Sequence, residues 1–292
     1  MNGIIPDLNR RCPPMHAQTK WCSWVVAILM LGSASIPQAA PLRVSGTGAV
    51  ISTVRQLAEI HQKEHPELEL RFITPPMGSS GSIKALTTDQ LDLALTGRPL
   101  KKEEADKGLV QTWIGRSPFA FVVQRDSALS AITLVQAADL YAGRQTTWPD
   151  GSKARIILRP LQDADTTLLQ SLSPKMHEAV KSAHQRRQPG SAMADSDLDL
   201  VEMVEKVPGA MGSVAMTLII AEKRPLKGLT LDGVEPTVAA LEQNRYAPFK
   251  PLYFVTRQET MPQLAGLIAF LGTDTGRTRM HALGLSTTHP MP

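Results

Sequence analysis

PPMGSSGSIKALTTDQLDLALTGRP, residues 75–99, is the stretch whose reading decides the fold. Two serines sit between glycines at the mouth of a segment with helical spacing, running from about Ser82 to Thr87. A short apolar strand, Leu91 to Leu95, follows and ends in Thr96-Gly97-Arg98. A helix N-terminus presents unpaired N–H groups and a partial positive charge, so it favours an anion. Gly78 and Gly81 let a ligand approach the backbone closely, while Ser79, Ser80 and Ser82 add hydroxyl donors. A glycine-serine turn alone serves equally well as a plain helix cap, so its neighbours must decide.

Those neighbours alternate strand and helix. Leu42-Arg43-Val44 reads as a strand and Ser45-Gly46-Thr47-Gly48 as a tight turn. Val50, Val54, Leu57, Ala58 and His61 recur at helical spacing over 50–64, stopped by Pro66. Leu68, Leu70 and Phe72 alternate with charged residues as a strand does. The order implies a parallel sheet with crossover helices. Ligands of such sheets collect at the carboxyl ends of the strands, and Gly46-Thr47-Gly48, Gly78-Ser79-Ser80 and Thr96-Gly97-Arg98 all fall at that edge.

Further along, Pro118–Gln124 reads as a strand, Leu134–Tyr141 as a helix, Ala154–Leu158 as a strand and Thr166–Leu172 as a helix. Residues 173–197 read as polar and irregular. A helix is expected over Leu198–Lys206, strands over Met211–Leu218 and Pro251–Val255, and a closing helix over Pro262–Leu271. Trp113 and Trp148 read as packing residues.

The chain has 292 residues, 42% of them hydrophobic, enough for one or two well-cored domains. A net charge of +4, only 4% aromatics and the lack of a Lys/Arg block exclude a nucleic-acid binder. Residues 1–40 read as a secretory signal peptide: Arg10, Arg11 and Lys20, then the apolar run 24–31, then small residues. The run is too short to span a bilayer, which takes about 20 residues. Cys12 and Cys22 both lie in this leader, so the exported chain is expected to lack thiols and disulfides. A periplasmic or secreted location follows.

The mature chain resembles the phosphate-binding proteins of ABC-type uptake systems, within the type II periplasmic binding superfamily. The matching stretches are SGTGA (45–49), MGSSGSIKAL (77–86), LDLALTGRPL (91–100), LVQAADLYAGRQTTW (134–148), VPGAMGSV (207–214), KPLYFV (250–255) and IAFLGTDTGRTRMHALGL (268–285). The resemblance implies an α/β fold of two lobes, each a mostly parallel sheet flanked by helices. Lobe 1 is expected at 41–126 and 246–292, and lobe 2 at 127–245. It implies a small oxyanion held between them by Thr47, Gly48, Ser79, Ser80, Gly81, Thr96, Arg98 and Arg159. It also implies an ABC permease or a membrane sensor as partner, a monomer, and no cofactor.

The chain departs from the family at Val50, where Thr or Ser is usual, and at the second-lobe anion loop. There Arg159 is followed by Asp163-Ala164-Asp165 in the slot of a Ser-Gly-Thr. Two carboxylates facing a dianion would repel it. Either they turn outward to pair with Arg159, or a shifted register brings Thr166 and Thr167 into the slot. Weak phosphate binding is therefore expected, and a sensor or scaffold with altered specificity is the alternative. His61-Gln62-Lys63-Glu64-His65 matches an inverted zinc-protease pattern, but Pro66 ends its helix at once. Asp195-Ser196-Asp197-Leu198-Asp199 mimics a calcium loop without its glycine and closing glutamate, so Asp195 or Ser196 reads as a helix N-cap. No catalytic set emerges, so binding without catalysis is expected.

Overall fold

The computed structural model describes residues 40–186 and 191–288; the expected signal peptide and both cysteines lie outside the described residues. The first part of the chain runs β1 (Leu42–Gly46), α1 (Gly48–His61), β2 (Leu70–Phe72), α2 (Gly78–Thr87), β3 (Leu93–Thr96), α3 (Lys102–Ala105) and β4 (Leu109–Gln124). The middle runs β5 (Ala131–Ile132), α4 (Leu134–Tyr141), β6 (Arg155–Leu158), α5 (Ala164–Ser171), α6 (Pro174–Arg186), β7 (Ala192–Met193), α7 (Asp197–Lys206), β8 (Ala210–Ala215), α8 (Met216–Ala221), β9 (Leu226–Gly228), β10 (Thr230–Leu231) and α9 (Val238–Glu242). The chain closes with β11 (Phe249–Arg257), α10 (Met261–Leu271) and α11 (Asp274–Ala282).

Among the described residues, nine strands form one sheet in the order β2-β1-β3-β11-β4-β8-β6-β7, with β9 also paired to β4. It contains two parallel triplets, β2-β1-β3 and β8-β6-β7. Two long strands, β4 and β11, join them by antiparallel pairing. The architecture is the mixed α/β one that the strand–helix order implies. Residues 109–118 of β4 pair with β11 and residues 119–124 with β8 and β9, so the chain crosses between halves near Pro118. One unbroken strand, β4, thus serves both halves.

Each half has its own core. Val44, Leu57, Leu95, Leu252, Leu264 and Met280 fill the first. Phe121, Tyr141, Leu158, Met176, Val180 and Met211 fill the second. A further cluster packs Ala49, in the first turn of α1, with Leu200, Val201, Val214 and Leu218 of the second half. The start of α1 is thus where the halves meet.

Four local expectations are corrected. Residues 174–186 form α6, because Met176, Ala179, Val180 and Ala183 lie at helical spacing and are buried while the rest of the helix is solvated and polar. The strand expected to reach Leu218 stops at Ala215, and α8 takes the remainder. The helix α11 follows α10, capped by Thr273, whose hydroxyl accepts the Gly276 amide. The glycine-serine knot is the first turn of α2 itself, entered through Gly78 at φ +66°, a backbone region that favours glycine.

The side readings also find their places. Ser196 caps α7 in a reciprocal box with Asp199. Trp148 donates its indole N–H to the Gly209 carbonyl at 3.0 Å, and Trp113 packs edge-on against Tyr253. His61 is buried, stacked on His65 and tilted against Phe270. Among the described residues, no group of three His, Cys, Asp or Glu side chains is placed to hold a metal ion.

Candidate functional site

Thr47 is the N-cap of α1, in extended conformation (φ −81°, ψ 141°), yet its hydroxyl does not cap the helix. It donates instead to Asp197 Oδ2 at 2.6 Å, across 150 residues of sequence. The amides of Gly48 and Ala49 donate to the same carboxylate, each at 2.8 Å. A helix start and a hydroxyl therefore close around an oxyanion, here one supplied by α7. Gly48 is needed for the approach, since a Cβ there would lie 2.4 Å from Asp197 Oδ1.

Lys250 of β11 completes the cluster. Its side chain is 2% exposed, and its Nζ lies 2.6 Å from Asp165 Oδ1, 3.0 Å from Thr47 Oγ1 and 3.5 Å from Asp197 Oδ2. Lysine is almost never this buried unless paired. Burial would lower its pKa, but Asp165, Asp197 and Asp163 outweigh that and raise it. For Asp197, burial works upward, while the Lys250 and Arg159 charges, the Thr47 hydroxyl and the Ala49 amide hold it below the usual carboxylate range. Asp165 goes the other way. Burial pushes it up to about 6 against the pull of Lys250, and its Oδ2 has no hydrogen-bond partner among the described residues.

Arg159, 7% exposed, pairs with Asp163 at 2.7 Å and donates to the Ala194 carbonyl at 3.3 Å; its Nε has no partner among the described residues. Burial lowers its pKa, but Asp163, Asp197 and Asp165 together raise it. Asp163 also caps α5, accepting the Asp165 amide. Of the two second-lobe carboxylates, Asp163 thus turns to Arg159, whereas Asp165 points inward to Lys250. The Thr166 hydroxyl donates to the Arg159 carbonyl, which His184 also approaches at 2.8 Å.

The structure does not bring the rest of the expected set onto this carboxylate. Arg98 is committed to Glu104 through both terminal nitrogens, at 2.8 and 2.7 Å, and to the exposed Ser80 hydroxyl at 3.1 Å. Arg98 is thus paired with a carboxylate, as Arg159 is with Asp163. Gly81 is exposed in the first turn of α2, and Thr96 donates to the Arg98 carbonyl at 2.9 Å. Ser79 acts one step back. Its hydroxyl accepts the Gly97 amide at 3.0 Å, and the missing side chain of Gly97 makes room for Lys250, since a Cβ there would stand 2.3 Å from Lys250 Cε. Gly97→Ala is accordingly expected to displace the lysine and cost about 1–3 kcal/mol, read from urea unfolding. An unchanged midpoint would contradict the packing.

Sequence reading missed Lys250 and Asp197, and both carried a signal. Lys250, Leu252 and Phe254 share the inward face of β11 by alternation. Asp197 lies three, four and seven residues before Leu200, Val201 and Val204, on the buried face of α7.

Among curated relatives, Phosphate-binding protein PstS 2 of Streptococcus pneumoniae is 34% identical over 107 residues, 37% of this chain and 36% of that protein. The chain spans about a third of the length of that relative. A phosphate ABC transporter substrate-binding protein from Clostridium perfringens, solved with bound phosphate, superposes with TM-score 0.72 at 20% identity, covering 85% of this chain and all of that one. An ABC-type phosphate transport receptor from Vibrio cholerae gives 0.59 at 20% identity, with 85% of this chain covered and 100% of the other. These likenesses show the fold. A family model described as a PBP superfamily domain matches residues 32–275, running from β1 through the cradle at the start of α1 to the last helices, and the chain belongs to that superfamily.

Proposed function

We propose that this is an exported solute-binding protein that takes a small oxyanion, phosphate or one of similar size and charge, between its two halves and delivers it to an ABC permease. The observation that carries the reading is the cradle at the start of α1. Thr47 Oγ1 and the Gly48 and Ala49 amides converge on a carboxylate oxyanion with Lys250 beside it. Donors arranged for a carboxylate are also arranged for one edge of a tetrahedral oxyanion. Arg159, with its unpartnered Nε, adds a second cation from the other half. The phosphate in the names of the relatives supports the choice of ligand, and the basic–apolar–small order of residues 1–40 supports export.

The protein works in this reading as a monomer that binds without catalysing. Burial between convergent donors is what a solute-binding cleft supplies.

Calorimetric titration of the exported protein with inorganic phosphate, sulfate, molybdate and tungstate tests the reading. At least one is expected to bind. No binding by any of the four would contradict it.

A further inference from the structure

We infer that Asp197 is a built-in competitor for the cleft's ligand, a tethered oxyanion that any incoming anion must displace. The inference rests on the oxyanion reading of the cleft and concerns what sets its affinity.

The contact is too complete for a side chain that merely lies nearby. Both oxygens of Asp197 are used, on Thr47 Oγ1, Gly48 N and Ala49 N. Those are the donors that the start of α1 offers to an anion. Asp197 is not needed by its own helix, because Ser196 and Asp199 already cap α7 reciprocally. The space is shaped for it as well. Gly48 admits its Oδ1, and Gly97 admits the Lys250 side chain that stands against its Oδ2.

The contact also bridges the halves. Asp197 belongs to α7, which packs on β8 and β6, whereas Thr47 and Lys250 belong to the other side. Beside it, Thr53 and Thr217 share a hydrogen bond at 2.7 Å, and Gln56 donates to the Ala221 carbonyl at 2.6 Å. Withdrawing Asp197 from the cradle therefore means moving α7 away from α1. The self-occupied and ligand-occupied cradles exclude each other, and the apparent affinity falls by the fraction of molecules in which Asp197 is withdrawn. An ion that offers more charge and more acceptors than one carboxylate gains most from the exchange. The competitor thus selects for a multiply charged oxyanion over a simple carboxylate ligand.

The test compares the full exported protein with Asp197→Ala, and with Asp197→Asn as the isosteric control, in two measurements. The first is calorimetric titration with inorganic phosphate and sulfate. Asp197→Ala is expected to bind about tenfold more tightly than the parent or better, with Asp197→Asn between them. The second, made without any added anion, is hydrogen exchange at the Gly48 and Ala49 amides. They are expected to be protected in the parent and to exchange faster in Asp197→Ala. Equal or weaker binding by the alanine variant, in a parent that does bind, would overturn the competitor and leave the oxyanion reading standing. Fast exchange at both amides in the anion-free parent would overturn it too. Absence of anion binding in all three proteins would overturn the oxyanion reading itself, and the competitor with it.

Discussion

Lys250→Met is expected to destabilise the protein by about 3–5 kcal/mol, the range seen when one partner of a buried ion pair is removed. The methionine fills much the same volume, so the loss is electrostatic and not a cavity effect. It would leave Asp165 with no cation in contact and Asp197 without its nearest one, both carboxylates being fully buried. Asp197 would retain three donors from the start of α1, but Asp165 has an unpartnered oxygen already. Most of the cost therefore falls on Asp165. The double variant Lys250→Met with Asp165→Asn is expected to recover a large part of it, since a buried amide carries no charge to desolvate. Urea unfolding of the parent, single and double variants reads these differences. A loss below about 1 kcal/mol in the single variant would mean that the cluster is not buried as described.

Asp165 is also expected to give stability an unusual pH dependence. Its carboxyl is raised in the folded protein to about 6 from an ordinary value of 3.8. The folded state then holds the proton more tightly than the unfolded one. Its contribution is fully present below about pH 4 and is lost as pH rises through 6. A shift of about two units corresponds to roughly 3 kcal/mol. Asparagine mimics the protonated acid, so the stability of the parent minus that of Asp165→Asn is expected to fall by about that amount between pH 4 and pH 7. Asp197, held low, acts in the opposite sense and cancels in this comparison. A difference that is flat or grows with pH would contradict the account of the buried cluster.

The fold was largely legible because its periodicities are clean. Leu134–Tyr141 alternates buried and exposed as an amphipathic helix must, and its observed bounds coincide with the expected ones. The short apolar runs before the glycine turns read directly as parallel strands. Helix α6 was hidden because only four of its side chains are buried, and its Lys, His, Glu, Gln and Arg residues dominate the composition.

The site was less legible. Glycine-serine chemistry drew attention to α2, but Ser79 works there by holding Gly97. The two residues that meet Thr47 in space lie 150 and 203 positions away in sequence. Each also has an ordinary local reading, a lysine in an apolar strand and an aspartate at a helix start. Only tertiary packing turns them into a charge cluster.

The central claim is that the start of α1 is an oxyanion cradle, now filled by the protein's own Asp197. A crystal structure of the protein grown with inorganic phosphate tests it most directly. The account predicts an oxyanion on Thr47 Oγ1 and the Gly48 and Ala49 amides, next to Lys250, with Asp197 withdrawn from them and the two halves rearranged to admit it. Phosphate bound elsewhere, with Asp197 still seated on those three donors, would contradict it.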